Sequence, residues 1–207
     1  AAGLACAVRL KEQDKNISVA VVEADARAGR KLAATGDGQG NLSNAEMTAE
    51  HYHGSGARLV EKLCCSGAYD PLSLFDFIFC KDKLGRIYPA GKQASALSDC
   101  LLRKASALGV QLLVSSPVTA IKRGYELTVS GGNKICSDYV VLAAGGKAQK
   151  QFNTDGASFA LAKSLGHTVT PLHPSLVQLK CDTAYIKTLK GIRAECGVTA
   201  FDGDGNM

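Results

Sequence analysis

The fold of this chain follows from residues 17–44, ISVAVVEADARAGRKLAATGDGQGNLSN. The branched apolar residues at 17–22 predict a parallel strand that is buried on both faces. An acidic residue, Glu23, ends this strand, and a glycine-rich loop at 25–44 follows it. Such a loop offers backbone N–H groups that a phosphate or a flat ring can approach closely. The segment is therefore typical of an α/β protein that binds a nucleotide.

A predicted helix precedes this strand and completes half of a dinucleotide-binding motif. Residues 1–15 carry small and apolar side chains at helical spacing. Gly3 lies where the last glycine of G-x-G-x-x-G would be, and Glu23 lies 20 positions later, where an acidic residue binds the adenosine ribose. The same half-motif occurs in α/β folds that bind no nucleotide, so both interpretations stay open at this point. Because a helix followed by a strand implies an earlier strand, we expect the chain to start inside a longer protein.

The rest of the chain predicts further helices and strands. Helices are expected at 55–79, 94–108 and 155–165, short strands of a small antiparallel piece at 110–114, 118–122, 125–129 and 134–136, and a fully apolar strand at 139–144. After Pro171 the pattern changes to strands and loops. We therefore predict a Rossmann-like α/β domain with a parallel sheet at 1–172, and the start of a second, mostly β domain at 173–207.

Composition excludes several classes of protein. The 207 residues are 46% hydrophobic with a mean hydropathy of +0.02, which is typical of a globular protein. The net charge of +5 comes from scattered Lys and Arg, so nucleic-acid binding is not indicated. No stretch is long and apolar enough for a membrane span. The 8 cysteines form no C-x-x-C pair and the 4 histidines lack metal-ligand spacing, which predicts reduced thiols in a cytoplasmic protein and no metal site.

Five stretches of the chain, taken together, are more specific than any one motif. They are AAGLACAVRL at 1–10, VVEADARAGRKLAATGDGQGNLSN at 21–44, GRIYPAGKQASALSDCLLRKASALGVQL at 85–112, VVLAAGGKA at 140–148 and TDGASFALAKSLGHTVTPLHPSLVQL at 154–179. In this order they resemble the BaiN-like and aminoacetone-oxidase-like NAD(P)/FAD-dependent oxidoreductases. The resemblance covers nearly the whole chain.

The resemblance implies a cofactor, FAD, and its contacts. The adenosine ribose would lie on Glu23, with Arg30 and Lys31 beside the ribose and pyrophosphate. The loop at 36–41 would pass near the pyrophosphate and isoalloxazine, Val118 would contact the adenine region, and residues 143–146 would close over the cofactor. The implied cofactor-binding residues are Gly3, Glu23, Arg30, Lys31, Gly36, Gly38, Asn41, Val118, Ala144, Gly145 and Gly146. The loop departs from the family pattern G-x-G-R-C-N, because Gln39 and Gly40 stand where the family has Arg and Cys.

We therefore expect a cytoplasmic FAD-dependent oxidoreductase that acts on a small-molecule substrate. Residues 1–172 would be its FAD-binding domain, and residues 173–207 the beginning of a truncated substrate domain. A nicotinamide nucleotide, NAD(P)H, or a reduced substrate would deliver a hydride to the flavin. Catalytic residues are not assigned, because the cofactor carries the chemistry in such enzymes; the substrate and the oligomeric state also stay unassigned. One alternative is a non-catalytic or defective remnant that binds a nucleotide weakly. Another is an NAD-binding dehydrogenase with the same half-motif, which the long glycine-rich loop argues against.

Overall fold

Helices and strands alternate along the chain in a computed structural model that describes residues 1–54, 56–65, 70–174, 184, 187–189, 192, 196–201 and 203–204. The helices and strands are α1 Ala2–Gln13, β1 Ala20–Val22, α2 Arg30–Ala33, β2 Ser43–Asn44, α3 Ala57–Val60, β3 Phe79–Lys81, β4 Arg86–Pro89, α4 Ala94–Ala107, β5 Gln111–Leu113, β6 Val118–Ile121, β7 Glu126–Val129, β8 Lys134–Cys136 and α5 Ala157–Ser164. Short 3-10 turns lie at Ala49–His51, Pro71–Leu74, Lys150–Phe152 and Lys187–Leu189, and a π-helical turn lies at Glu61–Cys65.

The chain divides into two units, Ala1–Thr170 and Pro171–Met207. The first unit holds all of the strands among the described residues. In the second unit the described residues include the 3-10 turn Lys187–Leu189, and most of the predicted β segment at 173–207 lies outside the described residues. The assignment of the two units as an FAD-binding domain and a substrate domain stays a prediction.

A parallel pair of strands lies next to the candidate site. β1 pairs with β5 in the register Ala20↔Gln111 to Val22↔Leu113. The prediction that residues 110–114 belong to an antiparallel piece is therefore wrong. Between β1 and β5 the chain passes through α4, and a crossover of this kind returns the second strand parallel to the first.

Two antiparallel sheets complete the strand pairing of the described residues. The sheet β6-β7-β8 confirms the predicted antiparallel hairpins at 118–136. The sheet β2-β4-β3 was not predicted, because β2 lies in the glycine-rich loop at 25–44 and β3 begins at Phe79, the last residue of the helix expected at 55–79. That helix prediction is wrong from Pro71 onward, where a 3-10 turn begins. Proline has no backbone N–H and cannot continue a helix that precedes it.

Packing of α1 against α4 fixes the position of the candidate site. Leu4 and Val8 of α1 and Leu97 and Leu101 of α4 belong to one buried apolar cluster. Their spacing puts each pair on one face of its helix. Partly buried Val21 of β1 packs on the same cluster, so α1, α4 and β1 share one apolar core. A smaller cluster joins α5 to the sheet β6-β7-β8.

The apolar segment at 139–144 forms no strand, so that part of the prediction is wrong. Tyr139 is 86% exposed and Val141 is 62% exposed. A strand needs a neighbour that accepts and donates its ladder hydrogen bonds. No described strand pairs with residues 139–144, and β1 has β5 as its only described neighbour. The segment is therefore apolar without being part of a sheet.

Candidate functional site

Glu23 lies at the carboxyl end of β1, and its backbone is held on both sides. Its N–H donates to Leu113 O at 2.8 Å, and its carbonyl accepts from Ser116 N–H at 2.9 Å. Its carboxylate oxygen Oε1 accepts the Asp25 N–H at 3.0 Å. The half-buried carboxylate is thus oriented by the backbone that follows the strand, with its second oxygen available to a donor.

The N-terminus of α1 lies next to this carboxylate. Gly3 packs closely on the 139–144 segment, since a Cβ built on it would lie 3.4 Å from Ala143 Cβ. The main chain at Ala1, which precedes α1, lies within electrostatic range of both Glu23 and Lys31. The N-terminal N–H groups of a helix have no intrahelical acceptor and carry a partial positive charge. Glu23 and Lys31 therefore both lie near the positive end of α1.

Lys31 contacts the turn that follows the 139–144 segment. Its Nζ lies 3.5 Å from Ala144 O, and a Cβ built on Gly145 would lie 3.4 Å from the same Nζ. Gly145 has φ +86°, a conformation that favours glycine. The Ser158 hydroxyl at the start of α5 donates to Gly145 O and holds the turn. Gly146 follows, with open space where a side chain would stand.

Arg30 points to different partners from Lys31, although the two are adjacent in α2. Its guanidinium pairs with the Asp25 carboxylate at 3.0 Å and lies 5.8 Å from the centre of the Phe152 ring. Consecutive helical side chains diverge by about 100° around the helix axis. Arg30 and Lys31, which were predicted to lie together beside the ribose and pyrophosphate, therefore contact different parts of the protein.

The glycine-rich loop uses many of its N–H groups internally. Gly38 and Gly40 donate to Thr35 O at 3.1 and 2.9 Å, and Gln39 donates to Gly36 O at 3.1 Å. The structure does not support the argument that the loop's glycines present freely available N–H groups to a phosphate, because these three are already paired. The main chain of Asn41 comes so close to Gly36 that only glycine fits there, since a Cβ on Gly36 would lie 2.7 Å from Asn41 N.

Gly40 and Gly38 attach the loop to α4. Gly40 has φ +81°, and a Cβ on it would lie 2.8 Å from Leu97 Cδ1 and 3.1 Å from Ala94 Cα. Gly38 O accepts the Ala94 N–H at 2.8 Å. At residue 40, where the family pattern has Cys, a side chain would clash with Leu97 and Ala94 unless one of them moved.

Val118 lies in the sheet β6-β7-β8, a different sheet from that of β1 and β5. It begins β6, pairs with Val129 and packs on the small cluster of Ile121, Leu127 and Leu161. Its predicted adenine contact, like the role of every cofactor-binding residue named above, stays a prediction. Sequence reasoning missed Ser158, because its partner Gly145 is 13 positions earlier and no local pattern joins them.

The described residues show neither a metal site nor a membrane-spanning helix. No cluster of His, Cys, Asp and Glu among them could hold a metal ion. Among the same residues, none of the helices combines the length and the apolar character that a membrane crossing requires.

A carboxylate at the end of a parallel strand, beside a helix N-terminus, is the arrangement of a dinucleotide-binding fold. The profile of the HI0933-like protein Rossmann domain matches residues 1–200. The chain belongs to the HI0933-like Rossmann-domain family. This confirms the predicted α/β Rossmann fold and the predicted membership of a family of FAD-dependent flavoprotein oxidoreductases.

Two curated relatives of this HI0933-like chain have names that state an activity. A 3-dehydro-bile acid delta(4,6)-reductase of Clostridium scindens is 32% identical over 209 positions, which cover 98% of this chain and 51% of the relative. A ribosomal RNA dihydrouridine synthase of Haemophilus influenzae is 26% identical over 216 positions, which cover 98% of this chain and 53% of the relative. The chain spans about half the length of the curated relatives that it matches.

Solved structures show a more distant likeness to the HI0933-like chain. A tetrameric form of 2-methyl-3-hydroxypyridine-5-carboxylic acid oxygenase is 22% identical with a TM-score of 0.36. The match covers 70% of this chain and 37% of the oxygenase.

Proposed function

We propose that this protein binds FAD at the carboxyl end of β1 and works as a flavin-dependent oxidoreductase. One observation carries the proposal: the Glu23 carboxylate is oriented by the Asp25 N–H at the carboxyl end of β1, while Lys31 of α2 and Gly3 of α1 both pack against residues 143–145. The family membership agrees with it.

The donor set at this point fits a dinucleotide. Glu23 has one carboxylate oxygen on the Asp25 N–H, which leaves Oε2 to accept from a ribose hydroxyl. Lys31 and the first turn of α1 supply positive charge for a pyrophosphate. Gly146 carries no side chain and no heavy atom lies within 4 Å of a Cβ built on it, so a cofactor can come close to the main chain there.

The described residues bind and position the cofactor, and the reaction is the cofactor's. When bound, FAD supplies a two-electron centre that accepts a hydride from a donor and passes it to an acceptor. In this proposal Glu23 would bind the adenosine ribose, Lys31 would bind the pyrophosphate, and Ser158 keeps the Gly145 turn in place. The remaining predicted contacts, Gly36, Gly38, Asn41, Val118 and Gly146, are proposed as parts of the same site.

The names of the two relatives indicate a reaction class. One is a delta(4,6)-reductase and the other forms dihydrouridine, so both names describe the addition of hydrogen to a double bond. We propose the same class here, with NAD(P)H as the hydride donor and a small unsaturated molecule as the acceptor, in the cytoplasm. The second relative's name includes ribosomal RNA, so the prediction that no nucleic acid is a partner needs its own test.

Flavin binding is the first experiment. The polypeptide at its full natural length and the 207-residue chain are incubated with FAD, separated from free cofactor and scanned from the near-ultraviolet to the visible. We expect flavin bands from the full-length protein and weaker bands from Glu23→Gln and Lys31→Met. Glu50→Gln and Lys83→Met remove the same charges from exposed positions elsewhere and should change nothing.

The outcome of the flavin-binding experiment decides between the proposed oxidoreductase and its two alternatives. If the full-length protein stays colourless at saturating FAD, the oxidoreductase proposal is wrong and the alternative of a non-catalytic remnant takes its place. If it binds NAD(H) and no flavin, the dehydrogenase alternative is correct. For a protein that does bind FAD, oxidation of NADPH or NADH is followed with unsaturated small molecules and with ribosomal RNA as separate acceptors. Turnover with RNA alone would overturn the prediction of a small-molecule substrate.

A further inference from the structure

The Asp25 carboxylate joins two parts of the chain that are far apart in sequence. Its Oδ2 lies 3.0 Å from Arg30 Nη1, and its Oδ1 accepts the Asn153 side-chain N–H at 2.6 Å across 128 positions. The Asp25 side chain is only 13% exposed. Hydrogen bonds to a charged group in such a partly buried place are stronger than those between neutral groups. Asp25 therefore holds α2 and the turn at 149–154 together.

The Asp25 backbone is tied to the candidate site as well. Its N–H donates to Glu23 Oε1 at 3.0 Å, and its carbonyl accepts the Ser115 N–H at 3.0 Å. Every polar group of this residue thus has a described partner. Moving Asp25 would move the donor that orients the Glu23 carboxylate.

The turn at 149–154 has a backbone that needs such support. Gln149 and Asn153 have φ +64° and +54°, which residues other than glycine adopt rarely, asparagine more readily than most. Thr154 Oγ1 bonds Gln149 O at 2.8 Å, and the Arg30 guanidinium lies over Phe152. A backbone of this kind persists only where surrounding contacts determine it. Asp25 and its partner Arg30 provide two of those contacts.

The contacts of Asp25 also decide which basic group is available at the site. Arg27 pairs with Asp99 at 2.8 Å and Arg30 pairs with Asp25, so both arginines have a carboxylate partner. Lys31 has no carboxylate partner among the described ion pairs, and its Nζ lies beside the Ala144–Gly145 turn. Arg30 therefore stabilises the residues around the site through its ion pair with Asp25, and Lys31 is the cation beside the Ala144–Gly145 turn.

We propose that Asp25 is a positioning residue for the dinucleotide site. Its N–H sets the direction of the Glu23 carboxylate, and its side chain fixes, through Asn153 and Arg30, the turn that follows Gly145. The proposal rests on the proposed FAD binding, and it predicts that Asp25 acts on the cofactor through Glu23 without contacting it.

The test is a double-mutant cycle on FAD affinity in the full-length protein. Asp25→Asn keeps the size of the side chain and removes the charge that holds Arg30. We expect FAD to bind about 10-fold more weakly, the effect of losing a hydrogen-bonded charged contact that orients a ligand group. In a Glu23→Gln background the same change should cost less than about 2-fold, because the group that Asp25 positions is already altered. Asp99→Asn removes the comparable ion pair with Arg27 and should leave the affinity unchanged.

Thermal unfolding of each variant separates positioning from loss of the fold. If Asp25→Asn does not fold, Asn153→Gly removes only the contact of Asn153 with Asp25, suits the left-handed backbone at this position and should reproduce the weaker binding in a folded protein. A full 10-fold loss in both backgrounds would show that Asp25 acts independently of Glu23 and would overturn the proposal, as would unchanged affinity in Asp25→Asn and Asn153→Gly. A wild-type protein that binds no FAD contradicts the proposed function itself, so the two failures are distinguishable.

Discussion

Replacing Gly40 with alanine should be one of the most damaging single methyl additions in this protein. Gly40 has φ +81°, and its added Cβ would lie 2.8 Å from Leu97 Cδ1, 3.1 Å from Ala94 Cα and 3.3 Å from Pro89 Cδ. Leu97 and Ala94 are fully buried, so neither can move aside into solvent. The glycine-rich loop would have to lift from the start of α4, or the core around Leu97 would have to shift.

Two costs add at this position. A left-handed backbone costs a residue with a Cβ about 1–2 kcal/mol, and forcing an extra carbon into a well-packed core costs about 1–3 kcal/mol. The sum for Gly40→Ala is about 2–5 kcal/mol, which is a large share of the roughly 5–15 kcal/mol that stabilises a typical domain. Urea unfolding followed by circular dichroism measures this as a lower midpoint at an unchanged slope.

Gly38 provides the matched control two positions earlier in the same loop. Its φ is +82°, and no heavy atom lies within 4 Å of a Cβ built there. Gly38→Ala therefore bears the backbone cost alone, about 1–2 kcal/mol. Equal losses of stability in the two variants would refute the packing argument, because only Gly40 contacts Leu97.

Three further predictions use the same stability and binding assays. Leu97→Ala should lower the free energy of unfolding by about 2–5 kcal/mol. Leu84→Ala, at a side chain that is 69% exposed, should change it by less than about 0.5 kcal/mol. Similar losses of stability in the two variants would contradict the assignment of Leu97 to the core. Lys31→Met should weaken FAD binding about 10-fold at low salt and by less at high salt, and a loss independent of salt would argue against a charge contact. The hydrogen bond from Lys134 lowers the pKa of the Glu126 carboxyl below its ordinary 4.5. The ion pair of Glu126 with Lys134 therefore stabilises the folded protein above pH 4.5, and this stabilisation is lost as the pH falls through the lower pKa of Glu126 in the folded protein. Glu126→Gln should flatten the dependence of the unfolding free energy on pH in that range. An unchanged pH dependence would contradict this.

Long periodic segments were predicted well because their pattern is local. The helix expected at 94–108 is α4 at Ala94–Ala107, and the strand expected at 17–22 contains β1. A strand pattern does not identify a partner, which is why residues 110–114 were placed in the wrong sheet. The register Ala20↔Gln111 joins positions that no local signal connects. The segment at 139–144 has the composition of a strand, and only a neighbouring strand could make it one.

The part of the candidate site that could be predicted is the part set by the spacing of residues along the sequence. The 20 positions between Gly3 and Glu23 put a helix N-terminus and a carboxylate at one edge of the sheet. The contact of Lys31 with Ala144 spans 113 positions and depends on tertiary packing. The different directions of Arg30 and Lys31 could not be predicted from their adjacency, because the Asp25 partner of Arg30 decides them.

The charges at the end of β1 also indicate which nucleotide suits this site. Glu23 is a carboxylate with one oxygen already on a backbone N–H, so its other oxygen can accept from a hydroxyl and repels a phosphate. The adenosine ribose of FAD carries hydroxyls, while that of NADPH carries a phosphate in the same place. Lys31 lies on the side of the Ala144–Gly145 turn, where a pyrophosphate would follow the ribose. The carboxylate at β1 therefore suits a dinucleotide with free ribose hydroxyls, such as FAD or NADH, and in the proposed flavoenzyme NADPH would need a second site of its own.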